Sequence, residues 1–145
     1  MTSTGASVIV TSALLVLFPL PLNSLPSHVP VGALFDSADS QMELAFRSAI
    51  NRVNDEGRYL KNSPLNGTVY RVLPGDSFKA SKLTCEMLAG GVAAIFGPQS
   101  DTTSAHVQSI CDTMAIPHIE LRWDYREKRD QHSINLFPHP SKLGK

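Results

Sequence analysis

A chain of 145 residues with 13 basic and 13 acidic side chains has no net charge, and its basic residues are dispersed without interleaved aromatics, which excludes a nucleic-acid-binding surface. An apolar share of 42% is close to the globular average and provides for one domain of modest size. Two cysteines are too few for a disulfide scaffold.

The first feature in the chain is the mostly apolar run Val8 to Leu22, broken by Pro19 and Pro21 and shorter than the roughly 20 residues that span a bilayer. It reads as a secretory signal peptide, with Ser24 and Ser27 as cleavage-site residues, so residues 1–27 form a signal and processing region. Met1 to Ser7 contains no Lys or Arg, a departure that leaves an uncleaved N-terminal anchor as the competing reading. Residues 28–145 are the folded part.

Val29 to Phe35 predicts a first strand ending at Asp36. Ser40-Gln41-Met42-Glu43 has the spacing of a capping box, and Met42, Ala45, Phe46, Ala49, Ile50 and Val53 continue as a helical stripe until Gly57 stops it. Arg58 to Asn66 is polar and predicts a surface loop. Asn66-Gly67-Thr68 is at once a glycosylation sequon and a turn sequence, and both readings stand. Thr68 to Leu73 is a second strand, closed by Pro74-Gly75.

Asp76 is a plausible N-cap for a helix running to Ala89, with Gly90 and Gly91 as its stop. Ala80, Leu83 and Met87 form its core stripe, whereas Phe78 and Cys85 share a nearly opposite face. Val92 to Phe96, closed by Gly97-Pro98, is a buried strand. From Thr103 the helical spacing returns, placing Val107, Ile110, Cys111 and Met114 on one inward stripe. Ile116 to Leu121 is the next strand, with Pro117 near its start where a strand tolerates it. Asp124 to Gln131 is a charged loop, Ile134 to Phe137 a short strand, and Pro138 to Lys145 a tail.

Alternating strands and helices imply right-handed crossovers and an α/β fold: a parallel sheet with helices on both faces. In such a sheet the binding crevice lies beyond the carboxyl ends of the strands. That places Asp36 and Ser37, with Gln99, Ser100, Thr102 and Thr103, at a candidate site. The hydroxyl-rich helix start is suited to an anion, while Asp101 suits capping and opposes one, and capping is the stronger of the two readings. His106, His118, His132 and His139 have no metal-ligand spacing and read as ordinary surface or strand-end histidines. No cofactor is implied. The absence of a G-x-S-x-G elbow and of G-x-x-x-x-G-K argues against an enzyme.

Cys85 and Cys111 are poorly placed to pair with each other. Cys111 sits on an inward stripe and Cys85 off its helix's stripe, whereas a bridge needs Cα atoms within about 7 Å and converging side chains.

The segments G-V-A-A-I-F-G-P from Gly91, V-Q-S-I-C from Val107 and I-P-H-I-E-L-R-W from Ile116 resemble the amino-terminal domain of ionotropic glutamate receptors of the kainate type. The likeness extends upstream through D-S-F-K-A-S-K at Asp76 and E-L-A-F-R at Glu43, and covers roughly Val31 to the C-terminus. It implies the incomplete upper lobe of a bilobed, leucine-binding-like (periplasmic-binding-protein type I) domain, truncated at its C-terminus. It also implies an extracellular location reached by the secretory pathway, in a parent receptor of the synaptic plasma membrane. The partners so implied are other glutamate receptor subunits, paired through upper-lobe helices that match Asp76 to Ala89 and Ser100 to Ala115. Phe78 and Lys82 are the interface candidates. The resemblance further implies that Cys85 bonds a cysteine beyond Lys145 while Cys111 stays a buried free thiol. Agonist site, pore and membrane contact are expected in other parts of such a receptor, so no glutamate ligand is assigned to Ser100, Thr102 and Thr103. The alternatives are a ligand-binding lobe of another receptor with this fold, a secreted small-molecule binding protein, or a secreted α/β enzyme.

Overall fold

A computed structural model describes residues 26–123 and 131–137. The run Val8 to Leu22, most of the charged loop after Trp123 and the tail from Pro138 lie outside the described residues. The elements follow in the order β1 (Val29–Asp36), α1 (Ser40–Glu56), β2 (Leu65–Val72), α2 (Ser77–Ala89), β3 (Ile95–Phe96), α3 (Asp101–Met114), β4 (His118–Glu120) and β5 (Ser133–Asn135). Among the described residues the five strands are all parallel, in the sheet order β2-β1-β3-β4-β5. The α/β reading of the sequence is therefore correct.

Alternation along β1 sends its side chains to two different cores. Val31, Ala33 and Phe35 pack with Phe46 of α1, joined by Ile50, Phe96 and Leu121. Leu34 packs on the other face with Ala80 and Met87 of α2 and Val107 and Cys111 of α3. One helix thus covers one face and two helices cover the other. Phe46 anchors the first core through edge-on ring contacts with Phe35 and Phe96, at centroid distances of 5.8 and 5.1 Å.

Several boundaries differ from the sequence reading for identifiable reasons. Leu65, Asn66 and Gly67 belong to β2, not to a turn, because each pairs with β1 at Val29, Pro30 and Val31. Gly67 suits this position: a Cβ would press on the tip of Ile50 and the ring of Phe46, which pack over the strand from α1. No capping box forms at α1, whose N-cap is Asp39, accepting from the Met42 amide at 3.3 Å. Glu43 turns instead to Arg47 at 3.0 Å and to Arg71 of β2 at 2.7 Å. Ala45 and Ala49 lie exposed beside the α1 stripe. Met114 is 56% exposed at the last turn of α3 instead of facing the core.

Other signals hold. Asp76 caps α2 by accepting from the Lys79 amide at 3.0 Å, and Gly57 closes α1 with a φ of 55°.

Candidate functional site

Because the strands are parallel, β1 and β3 deliver Asp36 and the Gly97-Pro98-Gln99-Ser100 turn to one end of the sheet. The Asp36 carboxyl is raised above the usual carboxylate range by burial and by the charge of Asp39, against a hydrogen bond from the Ser100 amide. Its Oδ1 is buried without a partner, as are both amide atoms of Gln99. Such groups ordinarily find a protein or solvent partner. Ser100 is the N-cap of α3 without a side-chain capping bond. Its Oγ accepts from Thr103 Oγ1 at 3.2 Å and lies 3.3 Å from Thr102 Oγ1. Thr103 is buried, and its hydroxyl accepts from the Gly75 amide at 3.2 Å, tying the turn before α2 to the start of α3. Asp101 does not cap the helix; its carboxylate pairs with Arg122 beyond β4. Ser100 and Thr102 are thus the hydroxyls at this strand-end turn, with Ser37 exposed just after β1.

A second polar group went unread in the sequence. His118 and Glu120 of β4 are both fully buried and face α3. Ser104 Oγ donates to Glu120 at 3.1 Å, and Arg122 donates to the same carboxylate at 3.2 Å. His118 meets Gln108 and the Gly97 carbonyl oxygen through its two ring nitrogens. The reading of His118 as an ordinary strand-end histidine is therefore corrected. The signal was present: Ser104, Gln108 and Asp112 recur every fourth residue of α3, a polar stripe beside the apolar one.

The third feature is a groove of about 410 Å³ between α2 and α3, lined by Cys85, Leu88, Ala89, Ile110 and Met114 with Ser109 and Thr113. Phe78, two helical turns before Cys85 on α2, is 82% exposed, and Lys82 is exposed beside it. Cys85 is exposed, Cys111 is buried, and no bridge joins them. Burial, then the charge of Asp112, pushes the Cys111 thiol up to about 12. Asn66 is exposed on β2, the edge strand of the sheet.

Residues 41–145 match the receptor family ligand binding region. The chain belongs to that family. Across 125 residues, 82% of the chain, it is 37% identical to glutamate receptor ionotropic, kainate 1 of Mus musculus and to its counterpart in Rattus norvegicus. It spans only 15% and 13% of the length of those two receptors. The kainate-type resemblance read from the sequence is thereby upheld. A receptor ligand-binding region is not an enzyme family. The partial parallel sheet flanked by helices suits a segment of such a region.

Proposed function

We propose that this chain is an extracellular amino-terminal domain segment of a kainate-type glutamate receptor and serves subunit recognition and assembly. The observation that carries this reading is the groove between α2 and α3, with Phe78 projecting from the same face of α2. A large exposed aromatic beside an apolar groove suits an interface, where aromatic anchors dominate the energetics. The occupant proposed is the matching face of another receptor subunit, a symmetric arrangement in which each Phe78 meets the partner's groove. Channel opening by glutamate belongs to the whole receptor and is assigned to none of the residues above.

Sedimentation equilibrium on the full chain tests the proposal. Phe78→Asp and Met114→Asp should each weaken association at least tenfold, since a hot-spot contact is worth about 2 kcal/mol or more. Association unchanged by both substitutions, or a strictly monomeric parent, would refute it.

A second reading rests on the unpartnered Asp36 Oδ1 and Gln99 amide beside Ser100 and Thr102. In it the strand-end crevice takes a small polar molecule, as a ligand-binding lobe of a related receptor or a secreted binding protein would. Calorimetry with free amino acids, repeated on Ser100→Ala, separates the readings: saturable heat lost in the variant favours the crevice. The sequon at Asn66 is proposed to carry a glycan, which a mobility shift on enzymatic deglycosylation, absent in Asn66→Gln, would reveal.

A further inference from the structure

His118 is enclosed by oxygen on both sides. Its Nδ1 lies 2.5 Å from Gln108 Oε1 and its Nε2 lies 2.8 Å from the Gly97 carbonyl oxygen. The orientation of the Gln108 amide is fixed from its far end, where Nε2 donates to Asp112 Oδ1 at 2.9 Å. Asp112 Oδ1 also accepts from the backbone amide of His132 at 3.2 Å, just before β5, and the His132 ring nitrogen lies 3.4 Å away. The His132 carbonyl in turn accepts from the His118 amide at 2.8 Å. The chain of contacts therefore runs from β3 through β4 and α3 to the edge strand β5.

A neutral imidazole has one N–H and one lone pair, whereas both oxygens facing His118 only accept. The arrangement seen is complete only for the doubly protonated ring. When the ring is neutral, one contact must change, and the two differ in freedom. The Gly97 carbonyl is fixed by the backbone, its own amide donating to Ile119 at 2.9 Å. The Gln108 amide can rotate. Turned over, it donates to the ring and presents its oxygen to the Asp112 carboxylate, two acceptors face to face.

The geometry points to a proton-linked relay in which the charge of His118 sets the orientation of the Gln108 amide and, through Asp112, the seating of β5 on α3. Among the described residues, the charged and titratable groups around the ring are Asp112 of α3, Glu120 of its own strand, Arg122 beyond that strand, and His132 at the start of β5. Asp112 and Glu120 favour the cation, and Arg122 opposes it. Burial outweighs the favourable contacts and holds the ring below the ordinary imidazole range, so the relay switches on the acid side of neutrality.

The test is a pH titration of the isotopically labelled full chain by NMR, following the His118 ring nitrogens, the Gln108 side-chain amide and the His132 backbone amide from pH 4 to 8. All three should move in one step, with a midpoint below the ordinary imidazole range of about 6.5. In Asp112→Asn the His132 amide should stop following the ring. Gln108→Met, similar in size and without the amide, provides the same uncoupling if the first variant does not fold. Three unrelated midpoints, a ring that holds one protonation state throughout, or a folded variant in which His132 still follows His118 would each overturn the relay.

Discussion

The two thiols differ first through burial and then through the charge of Asp112 beside Cys111. With its pKa pushed to about 12, Cys111 is almost entirely protonated at pH 8, whereas exposed Cys85 has free access to reagent. Alkylation of the native chain at pH 8 should modify Cys85 within minutes and Cys111 only after denaturant is added, as peptide mapping would report. His118 gives a second residue-scale expectation. Its folded pKa lies below the unfolded value of about 6.5, so in mild acid the unfolded chain binds a proton that the folded chain resists. The His118 contribution to stability is therefore full above that unfolded value and is lost as pH falls through about 6.5 toward the folded pKa. Denaturant midpoints should decrease over that window, and His118→Asn should flatten the decrease. Gly67 supplies a third. Gly67→Val drives a side chain into Ile50 and Phe46 and should destabilise by about 1–3 kcal/mol, the usual cost of overpacking.

At the scale of elements, local chemistry was legible and distant partners were not. Asp76 was readable as an N-cap because the interaction closes within three residues, and Asp76→Ala should cost about 1 kcal/mol in chemical denaturation. Ser40 and Glu43 had equally good local spacing, yet Glu43 is drawn away by Arg71, 28 residues on, while Asp39 takes the cap. Met114 has the phase of the core stripe, but the helix ends there and the side chain falls into the groove with Ile110. β3 keeps only two ladder residues of the five expected: Val92 bonds back to Met87 as the chain leaves α2, while Ala93 and Ala94 bond to Pro30 and Gly32 of β1 without extending the ladder. Topology was enough to bring Asp36, Gln99 and Ser100 to one end of the sheet. The partner of each hydroxyl, such as Gly75 for Thr103, depends on three-dimensional contacts that no periodicity encodes.

The whole molecule is asymmetric across its sheet. α2 and α3 close one face, while at the far edge Ile134 of β5 is 50% and Leu136 just after it 61% exposed. Changing both to Thr should leave the denaturation midpoint within the roughly 0.5 kcal/mol typical of surface changes, while lowering the binding of an apolar dye. The order of strands also has a consequence for the nascent polypeptide. β1 lies inside the sheet, yet both of its neighbours, β2 and β3, are encoded downstream. Its inner residues Val31 to Phe35 leave the ribosome roughly sixty residues before Phe96 completes the second pairing, a delay of about 3–12 s at ordinary rates of synthesis. Over that interval a strand with five consecutive residues destined for burial has at most one edge satisfied, which makes it a natural client for a holding chaperone during translation.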